Sequence, residues 1–187
     1  MRRILLLLLL SLLYVVGCID SPIAPKTPDS YNYSLIKLPP HSNLSVESIF
    51  TKSELITGEE GGVIRINKFY LSYSNQIVKI DAKLTIPEDA FTGSVIITMK
   101  IDDVYAGAYF EPSMTFDKPL EFSLKINGIN FSELEGTTSD SHNFICIADN
   151  GSTKNVTNDG IYLDNFLHGL TVHNAQLNHF SRYAFSR

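Results

Sequence analysis

The sequence predicts an all-β domain, an antiparallel β-sandwich, and three observations carry that expectation. From Ser45 onward, short runs rich in Val, Ile, Thr, Tyr and Phe are separated by turn residues. Within the clearest run, Ile77 to Ile86, the residues Val78, Ile80, Ala82, Leu84 and Ile86 alternate with Lys79, Asp81, Lys83 and Thr85. One side of that strand is built for a core and the other for water. Outside the N-terminal leader, no segment keeps a 3.6-residue apolar period over three turns, and many short strands at this spacing suit a sandwich.

The elements follow in order. Ser45 to Phe50 and Val63 to Ile66 read as strands around the turn Thr57-Gly58-Glu59-Glu60-Gly61-Gly62, and Phe69 to Tyr73 ends at the Ser74-Asn75 turn. After the Ile77 to Ile86 strand, Pro87 stops the ladder because it has no N–H to donate, and Thr92-Gly93 turns the chain into Ser94 to Ile101. Asp102-Asp103 makes a corner. The remaining strands are expected at Val104 to Phe110, Ser113 to Phe116, Leu120 to Ile126, Phe144 to Ala148, Gly160 to Leu163, Leu170 to His173 and Leu177 to Phe185.

The N-terminal stretch is of another kind. Arg2 and Arg3 precede an apolar run from Ile4 to Val16, about 13 residues against the ~20 that a spanning helix needs, which is the pattern of a secretory signal. Its last residues, Val15-Val16-Gly17-Cys18, resemble the lipobox of bacterial lipoproteins. The resemblance implies cleavage between Gly17 and Cys18, diacylation of the Cys18 thiol and acylation of the new amino terminus with palmitate-like chains. At ~0.8 kcal/mol per buried methylene, two or three such chains hold a protein on a bilayer. An ordinary cleaved signal is the alternative.

The expected organisation is a signal peptide over 1–17, a lipidated Cys18 with a Pro-rich tether over 18–44, and a β-sandwich over 45–187. Pro22, Pro25, Pro28, Pro39 and Pro40 among Ser, Lys and Asp give the tether its extended character. Ile19 after the cysteine implies passage to the outer membrane in a Gram-negative host.

Cleavage would remove Arg2 and Arg3 and take the net charge from −5 to about −7, which disfavours nucleic acid and anionic membrane faces as charge-matched partners. With Cys18 assigned to lipid, Cys146 is the second of only two cysteines, and in Phe144-Ile145-Cys146-Ile147-Ala148 it reads as a small buried hydrophobe.

Candidate chemistry is thin. The loop from Asp149 to Gly160 offers oxygen ligands for calcium but lacks the EF-hand order and its closing Glu, and Asn-Gly and Asp-Gly turn chemistry explains the same letters. Asp102-Asp103 is read as a turn. His168, His173 and His179 fit no zinc spacing. There is no Gly-X-Ser-X-Gly elbow and no P-loop. In Leu177-Asn178-His179-Phe180-Ser181-Arg182-Tyr183-Ala184-Phe185 neither side is purely apolar, and Phe180, Arg182 and Tyr183 are the candidate binding residues of an otherwise structural last strand.

Several strings taken together resemble the ZU-five-type β-sandwich modules: Gly61-Gly62, Leu84-Thr85-Ile86-Pro87-Glu88-Asp89-Ala90-Phe91, Ser94 to Met99, Phe110-Glu111-Pro112, Phe116-Asp117-Lys118-Pro119 and His179-Phe180-Ser181-Arg182-Tyr183. That family shows a Gly-Gly start, an Ile-Pro-x-Gly-Ala corner, a Pro-containing strand and, in bacterial versions, a terminal His-Phe-Ser segment. The likeness spans about residues 57 to 185, with Asp89 where the family prefers Gly. It implies an interaction or structural module without catalytic residues.

The expected function is therefore a lipid-anchored, non-enzymatic envelope module with no cofactor and no metal, binding an envelope protein or polysaccharide. The alternatives are a calcium- or carbohydrate-binding surface module and a metal-dependent envelope hydrolase using the C-terminal histidines.

Overall fold

In the computed structural model of the chain, which describes residues 34–42 and 50–187, period-two patterning becomes two open antiparallel sheets. The strands are β1 (Thr51–Thr57), β2 (Gly62–Leu71), β3 (Ile77–Ile86), β4 (Ser94–Ile101), β5 (Gly107–Glu111), β6 (Thr115–Asn127), β7 (Asn143–Ile147), β8 (Thr153–Asn155), β9 (Gly160–Asp164), β10 (Gly169–His179) and β11 (Arg182–Ser186). A six-stranded sheet runs β1-β4-β5-β11-β7-β8 and a five-stranded sheet runs β2-β3-β6-β10-β9. The only described helices are α1 (Phe131–Leu134) and a 3-10 turn at Ser139–Ser141. The fold is an all-β sandwich.

Burial on β3 follows the alternation in its sequence residue by residue: Val78, Ile80, Ala82, Leu84 and Ile86 are buried, while Ile77, out of phase, is exposed. Fully burying such side chains contributes about 1.5–3 kcal/mol each. Aromatic rings stitch the sheets together. Phe122 on β6 meets Phe110 on β5 edge-on at 5.0 Å and Phe144 on β7 at 6.0 Å, and Phe144 meets Phe185 on β11 at 5.2 Å.

The two ends of the sandwich differ in connectivity. At one, the crossover end, the chain passes between sheets at 58–61, 87–93, 112–114 and 180–181. At the other, the hairpin end, the β2–β3, β4–β5 and β9–β10 turns stay within a sheet, one longer link, 128–142 from β6 to β7, crosses between the sheets, and a further crossing at 156–159 joins the edge strands β8 and β9.

Several expected boundaries move, each for a physical reason. Residues 34–42, expected as tether, already belong to the sandwich. Ile36 and Leu38 are in the core, and the segment bridges Leu35 to Ser186, Lys37 to Tyr105 and His41 to Ser72. Pro39 and Pro40 have no N–H, so this strap lies as single bridges and not a ladder; their carbonyls accept from the Tyr70 hydroxyl at 2.7 Å and from the Tyr73 N–H at 3.1 Å. The rest of the tether, the leader, Gly17 and Cys18 lie outside the described residues, as does 43–49 of the strand expected at Ser45 to Phe50. Phe50 itself is a buried turn residue, and the strand lies at Thr51–Thr57, masked in the sequence because it is an edge strand with only Ile56 buried.

Two expected pairs of strands each fuse into one. Val63 to Ile66 and Phe69 to Tyr73 become β2, because an edge strand tolerates Asn67 and Lys68. Ser113 to Phe116 and Leu120 to Ile126 become β6 despite Pro119, since β6 has left β3 after Thr85↔Glu121 and bulges against β10 between Leu177↔Leu120 and His179↔Thr115. The Val104 to Phe110 strand starts only at Gly107. The Asp102 carboxylate accepts from the N–H groups of Val104 (2.8 Å) and Tyr105 (3.0 Å) and holds 103–106 as a loop. Inside the 149–160 loop, Thr153–Asn155 adds an unexpected edge strand against β7.

The largest correction concerns the C-terminal string. Leu177 to Phe185 is not a single closing strand, since β10 ends at His179 in the five-stranded sheet and β11 starts at Arg182 in the six-stranded one. The mixed polarity of its two sides is the signature of that corner: the inward direction changes at Phe180-Ser181, so Leu177, Phe180, Tyr183 and Phe185 are all buried.

Candidate functional site

On the outer side of the six-stranded sheet, cross-strand register sets Lys100 beside Tyr109 and Tyr109 beside Arg182. Tyr109 points outward because its neighbours Ala108 and Phe110 point into the core. The Arg182 guanidinium sits 5.1 Å from the Tyr109 ring centroid and 5.1 Å from that of Tyr105, held between two aromatic faces. Its Nη2 donates to Asp102 Oδ2 at 2.7 Å. Asp102 is only 1 % exposed and Arg182 26 %, so the pair is an ion bridge roofed by tyrosines, and the loop 103–106 hangs on it. Burial raises the Tyr109 phenol above its ordinary value and the Asp102 charge adds to that, with Arg182 opposing.

Beside this bridge opens a cleft of about 270 Å³ lined by Phe50, Lys100, Ile101, Asp102, Asp103, Tyr109 and Glu111. Aromatic face, one cation and exposed carboxylates suit hydrogen bonding and stacking with a polar ligand.

Of the three expected binding residues, only Arg182 reaches this surface. Phe180 is 4 % exposed and Tyr183 2 %, which corrects their expected role: both are core. Phe180 stacks on Phe110 at 5.3 Å and takes the edge of Phe116 at 4.7 Å, and the Tyr183 hydroxyl donates to the His179 carbonyl at 2.6 Å. Asp102 is part of the bridge, whereas Asp103 lines the cleft.

The histidines are dispersed. His168 is in the β9–β10 turn with φ +46°, His173 packs against Tyr162 at 5.2 Å, and His179 ends β10. Six residues of strand separate His173 from His179, ~20 Å at ~3.3 Å per residue. Their face-sharing parity is broken by the bulge at Asn174, φ +46°. The 149–160 loop is likewise split by β8: Asn150 Oδ1 accepts from the Ser152 N–H, while Asp159 Oδ2 accepts from Asn174 on the other sheet. Among the described residues no three His, Cys, Asp or Glu side chains gather as a metal site. Cys146 is half-buried, opposite Tyr183 in the β7–β11 ladder.

The strings that carried the family likeness meet in space at the crossover end. Gly61 has φ +69° and a Cβ there would lie 2.4 Å from the Ile86 carbonyl, so the Gly-Gly and Ile-Pro strings pack on each other. Asp117 N–H donates to the Ala90 carbonyl at 2.8 Å, and Lys118 Nζ donates to the Glu88 carbonyl at 2.8 Å. Phe91 meets Phe116 at 6.3 Å, and Phe180 N–H reaches the Met114 carbonyl at 2.8 Å. Asp89 has φ +59°, the left-handed region that glycine enters without strain.

Tyr105, Lys100 and Glu111 went unnoticed in the sequence. Outward Tyr109 is legible from alternation, but its pairing with residue 182 is set by strand order. These features define an all-β sandwich with an aromatic-roofed ion bridge. A scan against protein-family models finds no match, and no curated protein matches the chain.

Proposed function

We propose that this chain is a lipid-anchored envelope lipoprotein whose β-sandwich is a non-enzymatic module of ZU-five type, binding a protein or polysaccharide. The observation that carries the anchor is Val15-Val16-Gly17-Cys18 closing an apolar run behind two arginines. Two features support the module. The sandwich is the fold class the likeness implies, and the strings that carry the likeness come together at one end, with Asp89 at φ +59°, a conformation glycine enters without strain. A binding role rather than a catalytic one is supported by how the polar groups are used. Asp102 and Arg182 are engaged with each other, and the histidines stand apart. The cleft beside Tyr109 favours a polysaccharide or polar peptide segment as ligand.

Mass spectrometry of the protein isolated from its host tests the anchor: a diacylglyceryl thioether on Cys18 is expected, and a free thiol sinks it. For the module, Tyr109→Ala and Lys100→Ala are expected to weaken capture of envelope polysaccharide or protein about tenfold without unfolding the domain, and undiminished capture removes the cleft from the reading.

A further inference from the structure

We infer that the hairpin end of the sandwich is a bilayer-contact surface, lying against the membrane that holds the lipid; this rests on the lipoprotein reading above. Large exposed apolar side chains are most numerous at that end, although Leu55 and Ile96 form a smaller exposed pair toward the crossover end. Phe166 is 91 % exposed, Phe69 72 %, Tyr73 66 % and Ile77 63 %, with Leu71 and Leu167 beside them. Their backbones adjoin at this end. Leu71 pairs with Ile77 across β2 and β3, Gly128 lies against the Ile77 backbone, and the Gly128 N–H donates to the Leu167 carbonyl at 3.0 Å.

The tips are built to project. Asp164 Oδ1 accepts from the N–H groups of Phe166 (3.0 Å) and Leu167 (2.9 Å), so the turn's own polar groups are satisfied and the apolar side chains face outward. Clustered apolar residues of this kind mark a contact surface, and single scattered ones would not.

Where the chain enters decides between occupants. Ser34, the first described residue, bonds reciprocally to Arg187 at 3.0 Å, at the same end of the sandwich, and the strap then runs to Tyr73. The stretch from Cys18 to Ser34 spans at most about 55 Å. A thioether-anchored chain thus presents this end to the bilayer at millimolar effective concentration, where a weak apolar contact is populated. A bilayer accepts the protruding Phe and Tyr rings with no complementary cavity, and a protein partner would need one.

The test uses the full lipidated chain in vesicles of phosphatidylethanolamine and phosphatidylglycerol, with Cys146→Ser removing the half-buried thiol. An environment-sensitive dye is placed through Phe166→Cys, or through Thr92→Cys at the crossover end. Doxyl-labelled lipid is expected to quench the dye at 166 about fivefold more than at 92, and adding Phe69→Ser and Ile77→Ser is expected to lower that quenching about threefold. Equal quenching at both positions overturns the proposal. So does a dye at 166 shielded without vesicles, by the chain before Ser34 or by a second copy. If Cys18 proves unmodified, the anchor fails by mass, while quenching of the unlipidated chain at high vesicle concentration still decides the contact.

Discussion

The two ends of this sandwich both carry aromatic residues, used in opposite ways. At the crossover end Phe91, Phe110 and Phe180 turn inward, under four passages between sheets. At the hairpin end Tyr73 and Phe166 lie exposed in turns that stay within one sheet, and Phe69 is exposed near the end of β2. The difference follows from geometry. A chain crossing from sheet to sheet must close the gap between them with side chains, whereas a hairpin leaves its tip free. The crossover end is where the molecule is held, and the hairpin end is where it has side chains to spare for something else.

The largest expected effect breaks the held end. Phe180→Ala removes a ring stacked on Phe110 and met edge-on by Phe116 and is expected to cost about 3–5 kcal/mol in urea unfolding, whereas a surface-binding role would leave stability unchanged. Arg182→Ala comes next. It strands the buried Asp102 carboxylate, and about 3 kcal/mol of stability is expected to go, with Arg182→Lys retaining part of it.

Asp89→Val sharpens the comparison at a smaller scale. A β-branched residue at φ +59° is expected to cost about 1–2 kcal/mol, and Asp89→Gly to stay within about 0.5 kcal/mol of the native protein. The exposed Lys118–Asp89 ion pair that both changes delete contributes little.

The hairpin end should carry an acid sensitivity near neutral pH, whereas at the crossover end the Glu59 carboxylate, lowered by the Gly93 N–H, responds only at more acid pH. Burial pushes His142 below its ordinary 6.5; its Nδ1–H bond to the Thr138 carbonyl works against that, and Arg187 adds to it. His41, under the strap, is lowered by burial against the opposing charge of Asp103. With folded values below unfolded ones, the unfolded chain takes up protons first, so stability present above about pH 6.5 is lost as pH falls below it. Urea midpoints between about pH 7.5 and 5 should decline, and the decline should shrink in His142→Gln. The smallest effect on stability is expected from Phe166→Ser, within about 0.5 kcal/mol, measured by the same unfolding curve.

Legibility in the sequence followed burial. β3 and β4 were readable to the residue because each pairs on both sides and has a clean inward set. β1 was not, since an edge strand with one buried residue gives no alternation to read. Ile36 and Leu38 carried a period-two signal too short to register among prolines. Of the candidate site, Arg182 was legible as the one charged side chain, histidine aside, in the mixed string from Leu177 to Phe185. Its partners Asp102, Tyr105 and Tyr109 lie about 70 to 80 positions away and meet it only through strand order.

By itself the sequence determined the all-β class, the positions of the well-paired strands and their inward sets, and the apolar run behind Arg2 and Arg3 that ends at Cys18. Those are local matters, decided by the period of two and by turn chemistry within a few residues. The tertiary structure alone decided that residues 177 to 185 split between two sheets, that Arg182 lies between two tyrosines, and that the apolar hairpin tips share one end with the entering chain. Each depends on which strand lies beside which, and that order is chosen by how the two sheets bury their faces together, not by any one segment.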